Sequence, residues 1–481
     1  MTCFASIKSE KFFNHMLSAG FICSHKNCDR ELIARYVIQN PVSREMDIVS
    51  SVGWHEGIFV FPNKTFGKSE RKMWCTASPL HHKKGSLEDW QQQIARYCVG
   101  NSRLVLGVCA AFASSVLKIF EMENAGFHIV GSSSCGKTTC LKVASSVFGT
   151  PVGSWRTTDN GLENLAVQHN DSLLLLDELG QISPYQVGDA VYMLANGASK
   201  GRLDKNGVGQ KINKWRLLFL SSGETDLSSH MKASHKKTNV GQELRLININ
   251  ATDSSESYGI FENLHEFEDG QSLSAHLFDA SKSYKGTAIE TFLETVTQDT
   301  EAIKQDYART LSLLRKKYLS KGSEGQDFRV FEKFAFLGII GEYARFVTNW
   351  PEGEAIRGCM QCFQDWLETN EGFGNRESKQ ILTQIQLFFE QNTESQLQDI
   401  NNSNKHIMNM VGYKDKDFFY ITPQTFRSVI CQGWVYKTVV NTLLKANILK
   451  KNEQNEVCNV KRIGERTVRV YTLDRNLIEK L

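Results

Sequence analysis

Four short apolar runs organise the middle of the chain: "FHIV" (127–130), "SLLLL" (172–176), "WRLLFL" (215–220) and "LRLINI" (244–249). Helical or glycine-rich stretches separate them. Runs of this length without polar alternation predict strands buried on both faces, as in a mainly parallel α/β sheet. Upstream, "SLEDWQQQIARYC" opens with Ser86 and carries Glu88 and Asp89 in its first turn, a helix start, and "SRLVLGVCAAFASSVLKIF" reads as a buried helix. Earlier still, "SVGWHEGIFVFPNKTFG" (51–67) has β-rich pieces broken by Gly53, Gly57, Pro62 and Gly67, which predicts a small strand-containing unit. Residues 270 to about 395 show apolar positions at three- and four-residue steps and are expected to be helical. The polar stretch 391–405 reads as a linker or a solvated helix end. After it come helix, helix and a two-stranded hairpin around "GE", the order of a winged helix-turn-helix.

Length and composition add bounds. At 481 residues, with 41% hydrophobic and 23% charged, the chain is expected to form two to four globular domains. No apolar run approaches the roughly 20 residues that span a bilayer, and "MTCFASIKSEKFF" lacks a secretory signal, so a cytoplasmic protein with no membrane contact is expected. Twelve cysteines are then expected to be reduced thiols. Cys23, His25 and Cys28 form half of a zinc pattern, as do Cys359 and Cys362, and neither has a second half; helix-face packing is the expectation for the latter pair. The net charge of +3 does not announce nucleic acid, but residues 433–470 hold eight Lys/Arg against three Glu. A basic C-terminal module is a starting point for binding phosphates, through Lys437, Arg462 and Arg469.

The chemistry concentrates after the first run. Gly131, Ser132, Ser133, Ser134, Cys135, Gly136, Lys137 and Thr138 fit G-x-x-x-x-G-K-[ST] between a strand and a helix, and Thr139 follows. In this context backbone N–H groups enclose phosphates, Lys137 meets the β- and γ-phosphates, and the Thr138 hydroxyl ligates Mg²⁺. "LLLLDE" delivers Asp177 to a strand end to complete the Mg²⁺ shell, while adjacent Glu178 suits activation of water, favouring hydrolysis over transfer to a hydroxyl. The strand "WRLLFL" ends in Ser221 and Ser222; Ser222 is the expected γ-phosphate sensor, with Ser221 next. Arg245 has two readings, a rim arginine paired with Glu243 or a finger reaching the nucleotide of an adjacent subunit, and the residues alone leave both open. No Asn-Lys-x-Asp guanine signature occurs, "NKWR" (213–216) lacking the acid, so ATP is the expected nucleotide.

"GWHEGIFVFP", "GNSRLVLGVCAAFA", "GFHIVGSSSCGKTT", "WRTTDNGLENLAVQHNDSLLLLDELGQ", "VYMLANGASKGR", "WRLLFLSSGE" and "GQELRLININA" together resemble the domain-of-unknown-function 927 family of mobile-element and phage ATPases, from roughly residue 50 to 265. The family is similar to AAA+ helicases of the minichromosome-maintenance type, which assemble as hexamers around DNA. The resemblance implies an AAA+ P-loop core at 86–265; the patterns along the chain set a small α/β domain at 1–85 before it and a helical region at 266–400 and a winged-helix-like domain at 401–481 after it. It also implies that Arg245 acts in trans, and that the loop carrying Lys200, Arg202, Lys205 and Lys211 reaches DNA. Ala125 and Cys135 replace a glycine and a smaller residue of the family pattern; neither position supplies a required side chain. Only about fifty residues precede "GWHEG", so a primase, polymerase or initiator is expected as a separate protein.

The expected function is therefore a hexameric, ATP-driven DNA helicase or translocase replicating a mobile element or prophage. The alternative is a DNA-bound AAA+ regulatory or initiator ATPase that does not unwind. A small-molecule kinase fits less well, since the Asp177–Glu178 pair suits water.

Overall fold

The computed structural model describes residues 9–480 except 19, 23–25, 41–45, 69–71, 79, 203–211, 234–239, 253–257, 321–322, 371–375, 394, 401–406, 408–409 and 464–465. Helices Glu10–Ser18 and Asn27–Gln39 come first and meet through Phe12, Phe13 and Ala34. Strands β1 (Met46–Val49) and β5 (Lys72–Cys75) pair in parallel; between them β2 (Gly53–His55), β3 (Ile58–Val60) and β4 (Thr65–Phe66) form an antiparallel meander. The glycines that punctuate this stretch earn their place at Gly53, where φ is 112° and a Cβ would fall 2.2 Å from the Asp171 carboxylate. That carboxylate instead accepts the Trp54 N–H, anchoring the meander to the central sheet.

The central sheet contains β6 (Ala125–Val130), β7 (Gly153–Ser154), β8 (Ser172–Asp177), β9 (Leu217–Gly223) and β10 (Leu246–Asn250), all parallel, in the order β10-β6-β9-β8-β7. Its apolar runs are explained by burial on both faces. Leu173, Leu175, Leu218 and Leu220 join one core with Phe112, Phe292, Phe334 and Phe363, while Leu174, Leu176, Leu217 and Phe219 join another with Trp155, Val191 and Leu194. Alternation along each strand sets sequence-adjacent residues on opposite faces, and since both faces are covered, a polar residue such as His128 in β6 is buried with hydrogen-bond partners.

Helix Ser102–Ser114 is buried along its whole length under the first face. The preceding helical stretch starts where expected, with Ser86 accepting from the Asp89 N–H, and passes through a π turn at Gln91–Ala95. Helices Gly270–Ser283, Thr287–Val296, Thr300–Tyr318, Gly325–Tyr343 and Glu354–Thr369 follow the sheet. Cys359 and Cys362 are fully buried in the last of these, and among the described residues no His/Cys/Asp/Glu group is placed to hold a metal. Cys23 and His25 lie outside the described residues. No described helix is long and apolar enough to cross a membrane.

The C-terminal unit is a mixed sheet of β11 (Leu397–Asp399), β12 (Gly412–Lys414), β13 (Phe418–Ile421), β14 (Cys458–Ile463) and β15 (Arg466–Asp474), ordered β11-β12-β13-β15-β14. Its core takes Ile381, Ile385 and Phe389 from helix Arg376–Asn392 together with Phe426, Val439 and Leu443. The stretch read as a linker thus holds a helix end and an edge strand. The hairpin β14–β15 forms as expected, and its register sets Val460, Arg462, Thr467 and Arg469 on one face.

Candidate functional site

The loop between β6 and helix Lys137–Phe148 turns through Ser134 (φ 62°) and Gly136 (φ 97°). Glycine is needed at 136 twice over, for the left-handed backbone and because a Cβ would lie 2.6 Å from Ile260. The Lys137 ammonium folds back onto the carbonyls of Gly131 (2.8 Å) and Ser132 (2.6 Å), a cation held at the mouth of the loop. Thr138 opens the helix with its hydroxyl 3.3 Å from Asp177 Oδ2. Asp177 closes β8, its Oδ1 accepting the Ser222 hydroxyl, and Ser222 in turn accepts the Glu178 N–H at 3.2 Å. Lys137, Thr138, Asp177, Glu178 and Ser222 are therefore gathered at the carboxyl edge of three adjacent strands. The Thr138 hydroxyl and Asp177 carboxylate are hard oxygen donors of the type Mg²⁺ takes, leaving its other positions to water and phosphate.

Ser221 points the other way. Its hydroxyl, fully buried, accepts from the Trp155 indole N–H (2.8 Å) and faces His128 Nδ1 (3.0 Å), while His128 Nε2 meets the Thr225 carbonyl (3.1 Å). The chain of bonds is satisfied by a neutral ring with its proton on Nε2, and it braces both ends of the 221–225 turn. Burial pushes the His128 pKa down from 6.5 to about 4, partly countered by the Thr225 carbonyl. The unfolded chain takes up a proton near pH 6.5 that the folded ring refuses until about pH 4, so this contribution to stability is complete above that window and lost as pH falls through it. Thermal melts should drop in midpoint between those pH values, and His128→Gln should flatten the drop. A wild-type midpoint constant across that range would contradict this assignment.

A cavity of about 940 Å³ opens over the loop, lined also by Glu224, Tyr258, Gly259, Phe261, Gln271 and Phe278. The 258–261 segment is stitched to the loop by Ile260 N–H to the Cys135 carbonyl (2.7 Å), and Gly259 is required where a Cβ would sit 2.5 Å from that oxygen. These wall residues carry no motif spacing.

Arg245 is elsewhere. It precedes β10, its carbonyl accepting the Gly126 N–H at the amino end of β6, so the length of β6, about 17 Å at ~3.3 Å per residue, separates it from its own phosphate loop. Its guanidinium donates to the Gly241 carbonyl (2.9 Å) and rests 4.7 Å from the Tyr192 ring centre. Lys200 pairs with Asp159 (2.9 Å), and Arg202 makes two bonds of 2.9 Å to Glu163. Lys205 and Lys211 lie outside the described residues. Lys437, Arg462 and Arg469 are exposed on the C-terminal unit.

A mixed α/β fold with a five-stranded parallel sheet and a phosphate-loop-like turn is the class these features define. The model of the family described as domain of unknown function (DUF927) matches residues 2–214, so the family resemblance read from the motifs holds over that segment. The match begins earlier than the motif series and stops before Ser222 and Arg245. No curated protein matches the chain. Among solved structures, "SCCmec type IV Cch - active helicase" shares the fold at a TM-score of 0.69 and 16% identity, over 98% of this chain and 88% of that one. An inhibitor-bound JCV helicase (TM-score 0.25, 12% identity, 52% of this chain and 64% of that one) and the apo C-terminal region of NrS-1 (0.26, 12%, 69% and 80%) align only loosely.

Proposed function

We propose that the chain is an ATP-hydrolysing DNA helicase or translocase of a mobile element or prophage, working as a ring, most simply a hexamer. The observation that carries this reading is the division of one chemistry between two edges of the sheet. Lys137, Thr138, Asp177 and Glu178 stand at one edge and Arg245 at the other, too far to serve its own loop and available to a neighbour's. The core is read as AAA+ (86–265), flanked by the 1–85 and 266–400 units, with a winged-helix-like 401–481 unit that shares its core with helix Arg376–Asn392.

In this mechanism Lys137 leaves the Gly131 and Ser132 carbonyls for the β- and γ-phosphates of ATP, and N–H groups of residues 132–139 enclose them. Thr138 and Asp177 hold Mg²⁺, which when bound offsets phosphate charge. Ser222 keeps Asp177 oriented and senses the γ-phosphate. Glu178 accepts a proton from the attacking water. The neighbour's Arg245 counters charge as it develops on the transferred phosphoryl group. Lys437, Arg462 and Arg469 contact DNA phosphates, and separate priming or initiating proteins supply the rest of replication.

One observation favours the second reading, a DNA-bound regulatory or initiator ATPase: Lys200 and Arg202, two of the residues meant for DNA, are both in ion pairs. The Lys200–Asp159 pair is exposed and of a kind worth only about 0–1 kcal/mol, so a DNA phosphate can replace that carboxylate; Glu163 is buried under its two bonds from Arg202, so freeing Arg202 would leave a buried carboxylate unpaired. The two readings separate in a strand-displacement assay on forked DNA. Displacement that requires ATP is the expected result; hydrolysis stimulated by single-stranded DNA with no displaced strand selects the switch.

A further inference from the structure

A second large cavity, about 960 Å³, lies at the amino ends of the strands, away from the phosphate loop. Six cations line it: Lys118, Lys214, Arg216, Arg245, Arg329 and Lys333. Among the described residues none of the six is in an ion pair. Lys118 donates to the Trp54 carbonyl and Lys333 to the Leu244 carbonyl, next to Arg245. Four carboxylates share the wall: Glu332 is paired with Arg315, Asp171 accepts from the Trp54 N–H and Asn170 and lies in the field of Arg216 and Lys118, and Glu121 and Glu123 complete the set, leaving the cations in excess by two.

Like charges brought together around a hollow repel one another; the wall carboxylates offset part of that cost and an entering anion offsets the rest. The repulsion is visible at Lys333. Burial pushes its pKa down to about 8; Glu123 pulls it up, and the fields of Arg245 and Arg329 push it down further. Arg329 is exposed and sits one helical turn before Lys333 on helix Gly325–Tyr343, so both extend from the same helix face toward Arg245.

We propose that this cavity is a phosphate-binding half-site, in which Arg329 and Lys333 join Arg245 in receiving the terminal phosphates of a nucleotide held in the loop of a second copy of the chain. The inference rests on the trans reading of Arg245 and extends it: the helical region, and not the sheet alone, takes part in hydrolysis. Lys333 contributes in two ways, as a charge and, through the Leu244 carbonyl, as the group that fixes the peptide leading into Arg245.

The test uses full-length Arg329→Ala and Lys333→Gln proteins. Arg329 is solvent-exposed, so its variant folds even if Lys333→Gln does not. Each is expected to bind a fluorescent ATP analogue as wild type does, because its own loop is intact, yet to hydrolyse ATP at least about tenfold more slowly. Mixing Arg329→Ala with Lys137→Ala should restore turnover in part, since one protein supplies an intact loop and the other an intact cation face. Wild-type turnover by Arg329→Ala overturns the proposal, as does a loss that mixing fails to restore. Arg245→Ala mixed with Lys137→Ala runs in parallel. Restoration there but not with Arg329→Ala removes the wider half-site alone, and failure of both mixtures removes the trans reading of Arg245 as well.

Discussion

Lys137→Ala is expected to reduce ATP hydrolysis to background and to weaken nucleotide binding severely. Lys137 is 8% exposed and its ammonium is held by the Gly131 and Ser132 carbonyls, so it is already placed at the mouth of the loop. It is the one cation in the 131–138 loop; with it gone, the chain's own loop offers the phosphates only backbone N–H dipoles and hydroxyls. Removal of a single preorganised charge stabiliser typically costs 10²–10³ in rate, roughly 3–4 kcal/mol. Phosphate release and equilibrium nucleotide binding, measured together, check both parts. Turnover within a few fold of wild type would show that the loop does not work on a triphosphate.

The second large effect is at Glu178. Glu178→Gln should leave nucleotide bound and uncleaved, because the loop, Lys137 and the Thr138–Asp177 pair are untouched while the group that takes the proton from water is lost. The side chain is set by an unusual backbone. Glu178 has φ 59°, in the left-handed region, and its N–H is held by Ser222. Few non-glycine residues adopt that conformation without a structural reason. Turnover should fall by at least about 10² with binding retained, and a filter-binding assay beside a single-turnover assay reads the two separately. Equal turnover would assign the base elsewhere, with Glu224 on the same cavity wall the next residue to replace.

The sheet was readable because its strands bury both faces, which makes β8 and β9 apolar runs up to their ends and leaves β6 and β10 mainly apolar, broken by His128 and Asn248. The two-residue β7 has no such run. Strand starts were misjudged for local reasons. Trp215 reads as strand, but its N–H bonds to the Gly197 carbonyl and its indole to the Leu194 carbonyl, tying it to the end of helix Val187–Asn196. Arg245 likewise precedes β10, which starts two residues later than read, and this puts it at the sheet's rim. That the 131–138 turn and the Asp177–Glu178 pair would meet was readable because the proposed chemistry demands fixed residue types at fixed spacing. Ser221 and Ser222 were not separable by type; alternation along β9 turns one toward Trp155 and His128 and the other toward Asp177. The far wall of the cavity, from Tyr258 to Phe278, was illegible because it meets the loop through backbone bonds and packing that many sequences could supply. In the C-terminal unit the hairpin was legible around "GE", whereas β11 and β12, three residues each, were not.

An electron micrograph of the full chain with a non-hydrolysable ATP analogue and forked DNA tests the central claim most directly, since a site shared between subunits requires a closed or helical arrangement of copies. Rings with six-fold features around DNA are the expected result. Particles that remain single copies under those conditions would contradict an ATP site built from two chains.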